Sequence, residues 1–284
     1  MTVFFVADSI GKSFGPRQVL KSASVWAEPG RITALLGRNG CGKSTLLKIG
    51  AGLLEADQGA VHFAGRAYLR PRLRQLAARG LFYLPTRDLF SRRLSLRPQF
   101  EAIVWRFGGG DDGGRVDRVL EELEVEHLLD RRVVRVSGGE RRRLEIAAAV
   151  IRRPTCLLAD EPFSEIAPRD AEVIGQRLRR LADEGTAIIV SGHEVDQILR
   201  VADNVVWMVA GTTHGLGSAA DARGHAQFRR EYLGERADSY QLSDAGGVEA
   251  PPDAAGAVVN GKRIEMRRFD FASGSFATRR CRSA

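Results

Sequence analysis

Two short stretches of this sequence combine residue types that hold phosphate and polarise water. The first, GRNGCGKST, follows the apolar run RITALL and precedes LLKIGAGLL, which is typical of a strand, a loop and a helix in succession. The glycines let backbone N–H groups close around phosphate oxygens, Lys43 reaches the terminal phosphates, and the Ser44 hydroxyl is placed to bind Mg²⁺. We therefore predict a nucleotide-binding loop with the contact residues Gly37, Arg38, Asn39, Gly40, Cys41, Gly42, Lys43, Ser44 and Thr45.

The second stretch, CLLADEP, ends an apolar run with two carboxylates. Asp160 is suited to holding Mg²⁺ through water, and Glu161 to orienting or deprotonating an attacking water. His193 follows the next apolar run, TAIIVSG. A lone histidine after a strand is more often structural, but its position one strand after Glu161 favours a role at the same site.

A candidate second anion site lies in VSGGERRRLEIAAAVIRRP. Ser137 is predicted to cap a helix that runs to the breaker Pro154, with Gly138, Gly139 and Glu140 in its first turn. Taken alone, this pattern indicates no more than a favourable helix N-terminus. Its place just before CLLADEP favours a functional role.

The elements that must position these residues alternate along the chain. Extended, β-rich segments run to about Gly65, and later strands such as RITALLG, GLFYLP and NVVWMVAG are short and apolar. Helical patterns stand between several of these strands, as in a parallel α/β sheet. One helix is predicted from Pro168 to Gly185, and another helical stretch from Ser95 to Leu129 is interrupted by a flexible GGGDDGG.

Charge is concentrated in one part of this 284-residue chain. Ten arginines and only two acids lie between Arg66 and Arg106, so this segment accounts for the whole net charge of +8. Such an excess suggests a surface facing phospholipid headgroups, nucleic acid or an acidic partner, although a solvated face remains an alternative. No apolar run approaches the length of a membrane span, and the three cysteines lack zinc-site spacing, which fits a reducing, cytosolic setting.

The order GRNGCGKST, VSGGE, LLADEP, SGH resembles that of the ATP-binding subunits of ABC transporters, over nearly all of the chain up to about residue 235. SGGERRRLEIA, DEPF and FRREYLGE are similar in particular to the branched-chain amino acid and lipopolysaccharide-export subgroup. The resemblance implies an α/β P-loop NTPase fold. A mostly parallel core sheet, an N-terminal antiparallel β subdomain and a helical insertion at about 87–137 would form residues 1–235.

The resemblance also implies ATP and Mg²⁺ as cofactors and ATP hydrolysis coupled to transport. A second ATPase subunit, identical or different, would bring its Ser137, Gly138, Gly139 and Glu140 onto the partner's ATP. A transmembrane permease subunit would hold the protein at the cytoplasmic, inner face of the cell membrane, with the Arg-rich segment near the docking surface. No nucleic-acid partner is expected.

Four positions are compared with the family one at a time: two match its pattern and two depart from it. Phe14 falls where an aromatic ring stacks on adenine, although a ring that caps the β core fits the sequence nearly as well. His193 falls at the switch histidine, which contacts the terminal phosphate. Thr86 replaces a glutamine that binds Mg²⁺ in the family, so a bridging water is expected there. Ala167 replaces an aspartate through which two subunits sense each other.

The departures at Thr86 and Ala167 keep a rival function open: a nucleotide-dependent dimerising module with weak or no turnover. A repair or translation ATPase is disfavoured, because only about 94 residues without heptads separate Lys43 from Ser137 and the chain holds one cassette. Cys41, beside a helix N-terminus and Lys43, is expected to have a lowered thiol pKa. The tail 236–284 is expected to be largely disordered, apart from a hairpin about Asn260 and Gly261.

Overall fold

The computed structural model describes residues 4–107 and 114–234 and the backbone of 258–259, 262–263, 269–270 and 275–276. One mixed sheet runs through residues 4–234. The α-helices of 4–234 are α1 (Lys43–Gly50), α2 (Leu73–Ala77), α3 (Leu96–Phe107), α4 (Arg115–Glu122), α5 (Gly138–Ile151), α6 (Pro168–Asp183), α7 (Val195–Val201), α8 (Ala219–Gly224) and α9 (Ala226–Phe228). Two short 3-10 helices, Glu126–Leu128 and Val133–Arg135, lie between α4 and α5, and a π-helical turn, Arg229–Leu233, follows α9. The strands are β1 (Phe5–Phe14), β2 (Arg17–Ala27), β3 (Ile32–Leu36), β4 (Gln58–Phe63), β5 (Arg66–Tyr68), β6 (Leu81–Leu84), β7 (Cys156–Ala159), β8 (Ala187–Gly192), β9 (Asn204–Val209) and β10 (Thr212–Gly217).

The strand order is β5-β4-β1-β2-β10-β9-β3-β8-β7-β6. Strands β9, β3, β8, β7 and β6 are parallel, whereas β1, β2, β4 and β5 pair antiparallel. Because the carboxyl ends of parallel strands meet at one edge of a sheet, the loops after β3, β6, β7 and β8 converge there. The predicted fold class is confirmed, and this edge is where the site forms.

The parallel strands are buried on both faces, which explains their unbroken apolar sequences. Every residue of β3 is buried, with Ala34 and Leu36 in one hydrophobic cluster and Leu35 in the other. The first cluster packs the sheet against α3–α8, and the second packs it against α1 and the antiparallel strands. The strands therefore hold the loops of the site on a rigid base.

Helix α6 begins and ends where its sequence predicts. Pro168 occupies its first turn and Gly185 follows its end with a φ of +101°, a conformation that glycine adopts without strain. Ile174, Leu178 and Leu181 are buried, as their spacing predicts. Ala167 holds the N-cap position, and its side chain makes no capping hydrogen bond.

Three elements have no clear signal in the sequence: β5, α2 and β10. β5 has only 3 residues, and β10, TTHGLG, buries a single side chain. Neither therefore shows the apolar alternation of a half-buried strand. In the tail, Val258–Val259 pairs antiparallel with Lys262–Arg263, as the predicted hairpin requires. The predicted turn at 260–261, the rest of the tail and residues 108–113, which make up most of the stretch GGGDDGG, lie outside the described residues.

Candidate nucleotide site

Gly37–Gly42 forms a loop between β3 and α1, as the sequence predicts, and Lys43, Ser44 and Thr45 lie in the first turn of α1, with the lysine turned inward. Lys43 is buried, and its Nζ donates to the carbonyl oxygen of Gly37 at 2.7 Å and lies 3.5 Å from Glu161 Oε1. The ammonium group therefore stands between its own loop and the carboxylate at the end of β7. An anionic ligand in the loop would meet both the lysine and the N-terminus of α1.

Two positions in this loop require glycine for different reasons. Gly42 caps α1 with a φ of +113°, which L-residues rarely adopt, and a Cβ there would lie 2.7 Å from Leu20 Cδ2. At Gly37 a Cβ would lie 2.5 Å from the carbonyl oxygen of Met208. The loop is thus packed tightly against β2 and β9, which fixes its N–H groups in place.

Asp160 is at the centre of a network of hydroxyl groups. Its carboxylate is 1% exposed and accepts from Ser44 Oγ at 2.9 Å and Ser191 Oγ at 2.8 Å on Oδ1, and from Tyr83 OH at 3.0 Å on Oδ2. Burial and the Asp160 charge raise the pKa of Tyr83 well above its ordinary value, so its hydroxyl remains a donor. Ser44 and Asp160, two of the three residues predicted at the metal site, are thus in direct contact, and Thr86 is the third.

Glu161 and His193 face each other across the ends of β7 and β8. His193 Nδ1 lies 3.9 Å from Glu161 Oε1, and His193 Nε2 lies 3.3 Å from Glu194 Oε1. Glu161 has a φ of +49°, and its N–H donates to Ser191 Oγ at 3.1 Å. This backbone conformation is uncommon for a residue with a side chain, and the hydrogen bond from its own N–H helps to hold it.

The predicted helix cap at Ser137 is confirmed. Ser137 Oγ accepts from the N–H of Glu140 at 3.2 Å, and Glu140 Oε2 accepts from the N–H of Ser137 at 2.7 Å, which completes a capping box. That hydrogen bond from the Ser137 backbone lowers the pKa of Glu140. Among the described residues, no hydrogen bond or ion pair joins Ser137–Glu140 to Gly37–Thr45, although Gly138 lines the same cleft as Glu161.

Thr86 lies in the loop after β6 and is held by a buried arginine of α5. Arg142 donates to the carbonyl oxygens of Thr86 at 2.6 Å, Pro85 at 3.0 Å and Glu161 at 3.3 Å. Its counter-ion is Glu145, at 2.8 Å. The Thr86 loop is therefore connected to the helix that begins at Ser137 and to the residue beside Asp160.

Phe14 ends β1 and is 48% exposed. Lys12 Nζ lies 5.6 Å from its ring centroid. Nearly half of the ring is thus free to meet a ligand, which favours the stacking interpretation over the one in which Phe14 caps the β core.

The expected lowering of the Cys41 thiol pKa is wrong in direction. Burial raises the pKa of Cys41 above its ordinary value, and this effect outweighs the lowering by Lys43 and by backbone hydrogen bonds. A half-buried thiol is harder to ionise even beside a cation, because the thiolate loses solvation. Activated thiol chemistry at this position is therefore not supported.

The C-terminal turn Arg229–Leu233 packs against the phosphate loop. The N–H of Gly37 donates to Tyr232 OH at 3.1 Å, and Arg38 Nη2 donates to the carbonyl oxygen of Glu231 at 2.8 Å. Phe228 is fully buried and stacks on Tyr232, with ring centroids 5.2 Å apart. Residues 228–232, which begin the stretch FRREYLGE that supports the family resemblance, thus contact the base of the loop.

Sequence reasoning missed Tyr83, Ser191, Arg142 and Tyr232. Tyr83 and Ser191 lie in apolar strands, where their hydroxyls give no pattern signal, and Arg142 stands in a run of three arginines. The sequence signal that could have found two of them is their distance from a recognised motif. Tyr83 lies three residues before Thr86, and Ser191 lies two residues before His193.

Comparison with known proteins identifies the family. The model of the family described as "ABC transporter" matches residues 20–164. The chain belongs to the ABC transporter ATP-binding family. It is an ATP-binding subunit and an ATPase of this family, as its motifs predict.

Two relatives illustrate the match. A probable ABC transporter ATP-binding protein of Azorhizobium caulinodans is 32% identical, covering 81% of this chain and 82% of the relative. The lipopolysaccharide export system ATP-binding protein LptB of Haemophilus influenzae is 30% identical, covering 81% of this chain and 97% of LptB. The subgroup resemblance is thus confirmed at the level of overall sequence.

Solved structures show the same fold. The ADP conformation of MJ1267, an ATP-binding cassette of an ABC transporter, superposes with a TM-score of 0.69 at 23% identity, covering 83% of this chain and all of that cassette. Within the described part of the chain, no helix is both long and apolar enough to cross a bilayer.

Proposed function

We propose that two copies of this ATPase subunit, or one copy and a related chain, close over two MgATP and reopen after hydrolysis. The observation that supports this most directly is that Lys43, Asp160, Glu161 and His193 lie together, whereas in the described part of the chain the helix start at Ser137 has no hydrogen bond or ion pair to the phosphate loop. A second chain would supply that helix N-terminus to the nucleotide.

The donor set at Ser44 and Asp160 fits Mg²⁺. This ion prefers hard oxygen ligands and is bound through one or two carboxylates together with nucleotide phosphates. Both side chains offer oxygen, and they already touch at 2.9 Å. The ion, when bound, neutralises the negative charge that develops on the phosphates. Thr86 would contribute only through water, because its side chain is short and Arg142 holds its carbonyl oxygen.

The other residues of the site would have separate roles in ATP binding and hydrolysis. Lys43 would exchange its bond with the Gly37 carbonyl for the terminal phosphates. Glu161 would orient an attacking water and take its proton, and His193, 3.9 Å away, would donate to the γ-phosphate. The partner's Ser137, Gly138, Gly139 and Glu140 would cover the same phosphate from the opposite side. Phe14 would stack on adenine.

A mixing experiment tests the shared site. Lys43→Met disables the loop of one chain and Ser137→Arg disables the signature of the other, so each variant alone is expected to lack ATPase activity. If sites form between chains, a mixed dimer contains one intact pair of loop and signature, and mixing restores part of the activity. If each chain formed its own site, mixing would restore nothing. Analytical ultracentrifugation of Glu161→Gln with and without MgATP provides the matching test of ATP-driven dimerisation.

We also propose that the cassette spans residues 1–235, with residues 87–137 as its helical insertion, and that this insertion docks on a transmembrane permease at the cytoplasmic face of the membrane. Three arginines of the insertion are neutralised within the chain, since Arg87 pairs with Glu165, Arg92 with Asp88 and Arg97 with Asp130. Leu94 and Trp105 are 53% and 87% exposed, which is unusual for such large apolar side chains.

Co-purification tests the docking surface. Reversing charge with Arg92→Glu and Arg93→Glu is expected to weaken association with the membrane partner while ATP binding is retained. Arg200→Glu, on the exposed side of α7, serves as the control. Unchanged association of the double variant would contradict the proposed surface.

A further inference from the structure

The carboxylate of Asp160 is held at both of its oxygens by groups from different strands. Oδ1 accepts from Ser191 Oγ on β8 at 2.8 Å and from Ser44 Oγ on α1 at 2.9 Å. Oδ2 accepts from Tyr83 OH on β6 at 3.0 Å. Asp160 is 1% exposed, so bulk water cannot replace a lost donor without a local rearrangement.

The three hydroxyls differ in what else they can do. Ser44 is a ligand of the metal in the proposed function, so its bond to Asp160 is given up when the metal binds. Ser191 donates its one proton to Asp160, and its oxygen accepts the N–H of Glu161 at 3.1 Å, so both of its roles continue. Among the residues that the structure describes, the Tyr83 hydroxyl forms a hydrogen bond only with Asp160. Once Ser44 has left, Ser191 and Tyr83 are the two groups that fix the plane of the carboxylate.

We propose that Tyr83 is a positioning residue for magnesium: it pins Asp160 Oδ2 into the sheet, so that Oδ1 is the oxygen presented toward the nucleotide-bound ion. Two anchors on opposite oxygens prevent rotation about the Cβ–Cγ bond, whereas Ser191 alone would leave the carboxylate free to turn. This inference rests on the proposed metal role of Asp160.

The same contact couples the metal site to the loop that carries Thr86. Tyr83 pairs with Leu158 in the register of β6 and β7, and the N–H of Asp160 donates to the carbonyl oxygen of Leu84 at 2.9 Å. Pro85 and Thr86 follow directly. A displacement of that loop therefore reaches Asp160 through the β6 backbone and through the Tyr83 side chain, although the Thr86 side chain is too short for direct metal contact.

The test is the magnesium dependence of nucleotide binding to the purified full-length protein. Tyr83→Phe removes one hydroxyl and keeps the ring in its place in the core. Loss of an outer-shell partner of a metal ligand costs about 10- to 100-fold in metal affinity, so the Mg²⁺ concentration for half-maximal binding of a fluorescent ATP analogue should rise by about that factor. Affinity for the analogue in EDTA should stay unchanged.

Tyr68→Phe is the matched control. Tyr68 lies on β5 at the far edge of the sheet, and its hydroxyl has no hydrogen-bond partner among the described residues. It should leave the Mg²⁺ midpoint unchanged. Equal midpoints for Tyr83→Phe and wild type would overturn the proposal, as would equal losses of affinity with and without Mg²⁺, which would indicate a purely structural role.

Asp160→Asn separates this inference from the function on which it rests. If Asp160→Asn raises the Mg²⁺ midpoint and Tyr83→Phe does not, Tyr83 is not a positioning residue, and the proposed metal site stands. If neither variant changes the midpoint, the metal role of Asp160 is itself wrong. A thermal unfolding midpoint measured for each variant without nucleotide shows whether the fold is intact.

Discussion

Arg142 Nη2 donates a 2.6 Å hydrogen bond to the carbonyl oxygen of Thr86, and the same guanidinium lies 2.8 Å from Glu145. Both charged side chains are buried, at 5% and 1% exposure. The arginine thus connects the helix after Ser137 to the Thr86 loop inside the protein, where a charge without a partner is costly.

The first prediction concerns the stability of this pair. Arg142→Met leaves Glu145 buried without its counter-ion, so the free energy of unfolding in urea should fall by about 3–5 kcal/mol. Arg141→Met, at the neighbouring and less buried position, should lower the free energy of unfolding far less. Adding Glu145→Leu to Arg142→Met should recover part of the loss, because no uncompensated charge then remains. Equal losses for Arg141→Met and Arg142→Met would show that the ion pair does not matter.

The second prediction is the pH dependence of that loss. Burial raises the pKa of Glu145, and Arg142 opposes this rise, so Arg142→Met should raise the pKa further. An acid with a raised folded pKa destabilises the protein as pH rises above its unfolded value of 4.5 and ceases to do so below it. The destabilisation by Arg142→Met should therefore be larger at pH 8 than at pH 5. A loss independent of pH would indicate that packing, not charge, is responsible.

The third prediction concerns the uncapped start of α6. Ala167 has φ −68° and ψ 153°, a suitable N-cap backbone, but no acceptor in its side chain. Ala167→Asp and Ala167→Asn should each raise the free energy of unfolding by about 1 kcal/mol. Ala167→Asn tests the cap without adding a negative charge beside Asp170. Ala167→Leu is the control, because it enlarges the side chain without adding a hydrogen-bond acceptor. If Leu stabilises as much as Asn, capping is not the cause.

The fourth prediction separates the two interpretations of Phe14. Its ring is 48% exposed, so Phe14→Ala should barely change the unfolding midpoint but should weaken ATP binding by roughly ten-fold through lost stacking. Binding of inorganic triphosphate, which has no base, should be unaffected, and Leu94→Ala controls for truncation of an exposed apolar side chain. A large loss of stability with intact ATP affinity would favour the core-capping role.

Local sequence predicted those parts of the site whose chemistry lies in one contiguous stretch. The phosphate loop, the carboxylates after β7 and the helix cap at Ser137 can each be recognised within a few residues of sequence. The hydrogen bond from Tyr83 to Asp160 joins residues 77 positions apart in the sequence. The hydrogen bond from Gly37 to Tyr232 joins residues 195 positions apart. Such contacts depend on the strand order, which local patterns do not encode.

Two errors have the same physical origin. The expected lowering of the Cys41 pKa considered its neighbours in sequence but not its burial, which dominates. β10 was missed because its stability comes from pairing with β9 and β2, not from its own apolar residues. In each case tertiary surroundings outweigh the local signal.

In the proposed function, Glu161 activates the water that cleaves ATP. Steady-state ATPase turnover of purified Glu161→Gln, compared with wild type and with Glu165→Gln, which removes an exposed carboxylate of the same loop, tests it most directly. Loss of a general base should lower turnover by at least about 100-fold while ATP binding persists, and Glu165→Gln should retain activity. Equal turnover of Glu161→Gln and wild type would contradict the account.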